Sequence, residues 1–324
     1  MVLKASGISE RSAERWKLRD VSFEIDPGQI FGVFADQPET RASLLNILGG
    51  FERPVSGQLW LGESELLERG LLRANTALIE RPPIKQNASW ISRLLGTNRR
   101  AVLRSNDIVA EIEASAAPIV ILVEPFLDRI AEERDEAFER LKEVIRRKQI
   151  YCMIASFNFE DAMTVCEKVL VLADGEVCQV GTPNEVYCEP ASRQVARITG
   201  RNNIFEARRL SSSKAEIPEF QTLLGSHRIA TERVEKRELG ALNQNVFLSI
   251  RPEHISVSFG ASFPEDNVVR AVVKKIRFLG PTTLVHCDAS GLSLTVHVMR
   301  LVGLNIGDEC LLGLPPDRIR IFTS

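Results

Sequence analysis

Six apolar residues, Pro118-Ile119-Val120-Ile121-Leu122-Val123, run unbroken into Glu124-Pro125. A strand with no polar side must be covered on both faces, as a central strand of a parallel sheet is. The neighbouring sequence keeps that pattern. Residues 129–148 are charged, with apolar residues at Ile130, Ala137, Leu141, Val144 and Ile145, which make one stripe of a surface helix. Tyr151–Ala155 and Val169–Ala173 read as further buried strands, with a helix expected over Asp161–Lys168 and a turn at Asp174-Gly175. Strands alternating with helices predict an α/β fold.

Upstream, Leu18–Ile25 alternates apolar and polar residues and reads as a strand, followed by a turn at Asp26-Pro27-Gly28-Gln29. Ile30–Phe34 reads as a buried strand. A polar loop over Ala35–Thr40 comes next, then a helix over Ser43–Leu48 closed by Gly49-Gly50. Strand, loop and helix in that order form the unit in which a phosphate site can develop. A turn at Arg53–Gly57 leads to a strand at Gln58–Leu61.

The pattern changes after about residue 205. Leu210-Ser211-Ser212-Ser213-Lys214 is linker-like. Short alternating strands then fall at Val246–Ile250, Val268–Phe278, Thr283–Cys287, Leu292–Val298, Glu309–Leu314 and Ile319–Phe322. They predict a small β-barrel of about 80 residues. No repeat at a fixed period is visible. The 324 residues suit two domains, expected over 1–235 and 236–324.

Lys and Arg total 41 against 43 Asp and Glu, so the net charge is −2 and no nucleic-acid partner is expected. The apolar runs are too short to span a bilayer, and Met1–Ser6 lacks the apolar stretch of a secretion signal. Any role at a membrane is therefore expected to come through a partner. The six cysteines form no C-x-x-C pair and the four histidines have no metal-ligand spacing, so reduced thiols and no metal site are expected. His286 and Cys287 read as packing residues. Arg251-Pro252-Glu253-His254 reads as a turn with an internal ion pair, and Lys274-Lys275-Ile276-Arg277 as a solvated strand face.

Several stretches carry a resemblance together. They are Leu18–Phe23, Leu44–Gly57, Val123-Glu124-Pro125, Asp174–Pro183, Gly200–Phe205, Ile250–His254 and Phe278-Leu279-Gly280. In this order they resemble the ATP-binding subunit of ABC-type importers, of the maltose, polyamine, sulfate and iron group, whose ATPase carries a C-terminal β-barrel called the TOBE domain. The resemblance covers most of the chain. It implies a P-loop-type ABC nucleotide-binding domain followed by a TOBE/OB-like barrel. It also implies ATP and Mg²⁺ as cofactors. The partners it implies are transmembrane permease subunits, a second ATP-binding subunit in a homo- or heterodimer and, indirectly, a periplasmic or extracellular solute-binding protein. The implied location is the cytoplasmic face of the membrane.

The motifs that would touch ATP depart from the family. A P-loop reads G-x-x-x-x-G-K-[ST], whose glycines let backbone N–H groups reach the phosphates while Lys neutralises them and the hydroxyl binds Mg²⁺. The corresponding residues here are Ala35-Asp36-Gln37-Pro38-Glu39-Thr40-Arg41-Ala42. Both glycines are absent, Pro38 removes a donor, Asp36 and Glu39 bring negative charge, and Arg41 stands at the Lys position. Ala42 offers no hydroxyl, whereas Ser43 does if the register slips by one. Two readings of the loop stand: a degenerate nucleotide site held by Arg41 and Ser43, or a folded loop that no longer binds phosphate.

By the same resemblance the adenine-stacking aromatic falls on Ser12, the Gln-loop glutamine on Glu80, the Mg²⁺-holding Asp on Val123 and the switch histidine on Phe157. Glu124 matches the glutamate that polarises the attacking water and is the candidate catalytic residue. The L-S-G-G-Q signature falls on Arg100–Arg104, none of which matches. Glu80 to Arg100 is only about 20 residues, so the helical subdomain of the family is expected to be shortened. Trp90 is either a partner anchor or a Trp packed on the sheet edge. The function expected is therefore an importer subunit with weak or no hydrolysis, acting as a scaffold or coupling subunit. The alternatives are a working ATPase despite these changes, a ligand-binding protein acting through the barrel, or a decayed relic.

Overall fold

A computed structural model describes the chain except residues 13, 68–70, 81–101, 105–106, 127–130, 157–158, 211–216, 232–238, 240, 261–264, 301–302 and 324. Trp90, Phe157 and the segment expected to hold the shortened subdomain lie outside the described residues. The chain divides into two units, Met1–Gly200 and Arg201–Ser324.

The first unit begins with the antiparallel strands β1 (Leu3–Ser12) and β2 (Arg15–Ile25), followed by β3 (Ile30–Ala35) and helix α1 (Pro38–Leu48). Strands β4 (Ser56–Leu61) and β5 (Ser64–Glu65), helix α2 (Leu71–Asn75), and strands β6 (Thr76–Glu80) and β7 (Val102–Arg104) come next. Then follow α3 (Ile108–Ala114), β8 (Ile119–Val123), α4 (Ala131–Lys148), β9 (Tyr151–Ala155), α5 (Phe159–Val165), β10 (Lys168–Ala173), β11 (Glu176–Gly181), α6 (Pro183–Cys188) and α7 (Arg193–Ile198).

The main sheet has seven strands in the order β11-β10-β3-β9-β8-β6-β7, parallel throughout except for the β10–β11 pair. Strand β8 sits between β6 and β9 and is fully buried, as its apolar run required. Its residues alternate between two cores. Ile119, Ile121 and Val123 join β1, β2 and α1, whereas Val120 and Leu122 join α3, α4 and α5. One face of the sheet is therefore covered partly by a second, antiparallel sheet of order β2-β1-β4-β5.

Two boundaries differ from the sequence reading. Helix α1 starts at Pro38, so the expected six-residue polar loop shrinks to Asp36-Gln37. Proline at the first helical turn removes only a donor that would be unpaired anyway. The helix expected over Asp161–Lys168 occupies Phe159–Val165 instead. Glu167 leaves it to join the sheet, donating its N–H to the Ile30 carbonyl at 3.0 Å and accepting the Ile30 N–H through its carboxylate at 2.7 Å.

The second unit contains β12 (Asn203–Arg209), β13 (Glu219–Thr222), β14 (Arg228–Ala230), β15 (Asn245–Ile250), β16 (Ser256–Ser258), β17 (Asn267–Phe278), β18 (Thr283–Ala289), β19 (Leu292–Val298), β20 (Glu309–Leu314) and β21 (Arg320–Phe322). They form two five-stranded antiparallel sheets, β14-β13-β12-β15-β21 and β16-β20-β17-β18-β19, around one core. The expected barrel omitted β12–β14. Strand β12 pairs with β15 from Asn203↔Ile250 to Arg208↔Asn245, so the unit begins near residue 201, and the expected boundary at 235 falls within it.

The two sheets exchange strands. Strand β15 turns through Pro252–His254 into β16 of the other sheet, and β20 turns through Pro316–Arg318 into β21 of the first. The exchanged strands pair reciprocally, Leu248 with Ile321 and Val257 with Leu312. The two corners read Ile250-Arg251-Pro252-Glu253-His254-Ile255 and Leu314-Pro315-Pro316-Asp317-Arg318-Ile319. This repeat has only two copies and few identities, so a search for a fixed period passes over it. Two asparagines join strands with their amides. Asn203 exchanges two bonds with the Thr295 backbone, and Asn267 bonds both backbone groups of Ala230 and the Leu314 carbonyl.

Candidate functional site: the carboxyl edge of the parallel sheet

Strands β3, β9, β8 and β6 are neighbours and end at one edge of the sheet. In open α/β sheets this carboxyl edge is where ligands bind. Parallel register sets Glu80 beside Val123 and Val123 beside Ala155. Glu80, Glu124 and Ser156 therefore share that edge, with Asp36 and α1 following β3.

Glu124 turns sharply out of β8. Its φ is +48°, a conformation that costs a non-glycine residue about 1 kcal/mol or more, and its N–H donates to the Ala155 carbonyl at 3.0 Å. Its side chain is buried at 4% exposure. Arg41, one turn into α1, is also buried. Its Nη1 donates to the Ser156 carbonyl at 2.8 Å, and its Nη2 stands 3.9 Å from Glu124 Oε1. Ser156 Oγ donates to Glu124 Oε2 at 3.3 Å. Burial pushes the Arg41 guanidinium below its ordinary value, and the Glu124 carboxylate pulls it partly back.

The structure thus brings together two of the four expected site residues, Arg41 and Glu124, and adds Ser156. Ser43 is buried at 2% exposure, and its hydroxyl has no hydrogen-bond partner among the described residues. Glu80 ends β6 one register step from Glu124. Ser156 was visible in the sequence only as the residue after an apolar strand, and its role comes from the parallel pairing of β8 with β9.

The loop itself is drawn into the fold. The Asp36 N–H bonds the Leu172 carbonyl at 3.2 Å, and its carboxylate accepts from Asp174 N–H at 3.3 Å. Gln37, the residue capping α1, accepts from the Arg15 guanidinium. Position 38 has no N–H. A Mg²⁺ ion takes several hard oxygen ligands, whereas among the described residues the site offers the Ser43 hydroxyl and a Glu124 carboxylate that already faces a guanidinium. This donor set does not suit Mg²⁺. Of the signature position, Val102–Arg104 form β7, an edge strand paired with β6.

Comparison with known proteins finds a family match within the second unit and relatives along nearly the whole chain. The family model described as the TOBE domain matches residues 248–322. The chain is 25% identical over 344 aligned residues to the maltose/maltodextrin import ATP-binding protein MalK of Escherichia coli O6:H1, covering 94% of this chain and 91% of that one. It is 25% identical to the protein of the same name from Yersinia pestis bv. Antiqua (strain Antiqua), with coverage of 94% and 90%. A solved structure of the ATP-binding subunit of an ABC transporter aligns at TM-score 0.44 and 17% identity, over 62% of this chain and 95% of that one. The chain is thus an α/β unit followed by a β unit that holds the TOBE match. Over nearly its whole length the chain resembles import ATP-binding proteins.

Proposed function

We propose that this chain is an ATP-binding-type subunit of an ABC solute importer whose own nucleotide site has been converted into an internal contact. One observation carries the reading. The guanidinium at the phosphate-binding position folds inward onto Ser156 and Glu124. A catalytic carboxylate must face water, and a P-loop cation must face phosphate. Here the two groups face each other. The chain then works at the cytoplasmic membrane face as a scaffold or coupling subunit, docked on permease subunits and paired with a second ATP-binding subunit, with a solute-binding protein reached only through the permease. The full-length likeness to maltose/maltodextrin import proteins supports the importer class.

Titration calorimetry of the purified chain with Mg-ATP tests the reading. Binding no tighter than about millimolar, about −4 kcal/mol, is expected. Micromolar affinity would refute it, because a ligand of that strength requires a cradle that the Arg41–Glu124 contact fills.

A further inference from the structure

The β17–β18 hairpin ends in an apolar tip that is exposed among the described residues. Phe278 is 77% exposed and Leu279 41%, and Met299, just past the end of the adjacent β19, is 85% exposed. Register explains why the tip is bare. Phe278 pairs with Thr283 and Thr283 with Val298, on the face that is core further along, where Ile276 and Val285 pack inward. The core ends there and the apolar face continues past it.

The surround is basic. Lys274, Lys275, Arg277 and Arg300 are exposed and form no ion pair among the described residues. Between Val268 and Gly307 the only carboxylate is Asp288, at the far end of the hairpin opposite Val272. In a chain of net charge −2 this is a marked local excess. The tip is also held in shape. Leu279 N–H donates to the Thr282 carbonyl at 2.9 Å, Gly280 supplies φ +94°, and His297 Nε2 meets Thr282 Oγ1 at 2.7 Å.

Protruding apolar side chains at a turn, with cations on the other face of the same strand that form no ion pair among the described residues, suit a surface that is anionic, fluid and able to close around a convex shape. A peptide ligand would instead need a groove. We propose that this tip docks on an anionic lipid surface. Phe278, Leu279 and Met299 enter the headgroup layer, and Lys275, Arg277 and Arg300, with Lys274 behind them, meet the lipid phosphates. This is a direct route to the membrane, beside the one through partners expected from the sequence. It does not rest on the importer reading, because the contact forms without any permease.

Flotation of the purified full-length chain with phosphatidylglycerol-rich vesicles and with pure phosphatidylcholine vesicles tests it. Binding to the first and not the second is expected, weakening as salt rises from about 0.05 M to about 0.5 M. Lys275→Glu with Arg277→Glu should weaken binding by at least about tenfold. Phe278→Ser with Met299→Ser, at exposed positions, should weaken it by about fivefold or more while the melting temperature holds. A wild-type chain that ignores anionic vesicles, as it would if an acidic protein surface were the true occupant, overturns the proposal. So does a serine variant that binds like the wild type, since adhesion would then be charge alone.

Discussion

A buried guanidinium 3.9 Å from a buried carboxylate attracts it by about 4 kcal/mol at the dielectric typical of protein sites. Desolvation of the two groups offsets most of that gain. The pair is therefore a weak stabiliser as a whole and a strong one against the loss of either member. Arg41→Ala should cost about 3–5 kcal/mol in urea unfolding, because Glu124 would remain buried beside an uncharged side chain. Arg41→Met combined with Glu124→Gln should cost less than the sum of the single changes, and a coupling near zero would mean that the two groups act independently. Glu124→Gln alone separates fold from chemistry. On the proposed reading it lowers stability while leaving solute uptake unchanged, whereas in a working ATPase it stops uptake. At this scale the sequence showed which residues occupy the positions and not which of them meet. Arg41 and Glu124 were named as candidates, but their contact depends on α1 starting at Pro38 and on the sharp turn at Glu124, neither of which leaves a periodic signal.

Elements were more legible. The apolar runs at β8, β9 and β10 were readable because burial on both faces leaves no polar residue to blur them. Boundaries were less so, since Glu167 leaves its helix for a contact with Ile30 that is 137 residues away in sequence. The joints between elements make specific expectations. Asn267 bonds the N–H and carbonyl of Ala230 and the Leu314 carbonyl, so Asn267→Ala should cost about 2–3 kcal/mol, measurable by thermal unfolding. Lys148 Nζ donates to the carbonyls of Ile112, Glu113 and Ser115 at the end of α3, and Lys148→Met should cost about 1 kcal/mol. The second unit should also weaken in acid. His254 and His286 are held below their usual value of 6.5, mainly by burial. A histidine whose folded pKa is depressed contributes stability above its unfolded pKa and loses it as pH falls through the folded one. Melting temperature should fall as pH drops below about 6.5, and replacing both histidines with glutamine should flatten that slope.

The molecule as a whole is two units with separate cores. Residues 201–324 should fold alone, giving a cooperative melt and a dispersed amide spectrum, because among the described residues their strands pair with one another. The same residues cut at 236 should not, since β12–β14 complete one of the two sheets. That difference was hard to see in the sequence. Strand β12 finds its partner β15 across a linker-like stretch of serines, and the pairing is legible only once both sheets exist. The reciprocal corners at Pro252 and Pro316 were hidden for a similar reason. Their likeness lies in the path of the chain and scarcely in residue identity.

The inward turn of Arg41 also sets the direction in which such a chain can change. On the proposed reading a return to nucleotide chemistry would pass through Arg41→Lys, which keeps the charge but gives up the fork that reaches the Ser156 carbonyl and Glu124 together. Regaining the two glycines first would loosen the helix start that positions the guanidinium. Every single backward step lowers stability before any function is gained, and a natural protein has only about 5–15 kcal/mol to lose. The contact therefore acts as a ratchet. On the proposed reading the fold itself then resists a return to nucleotide chemistry, and surfaces elsewhere on the molecule are the ground on which new roles could arise.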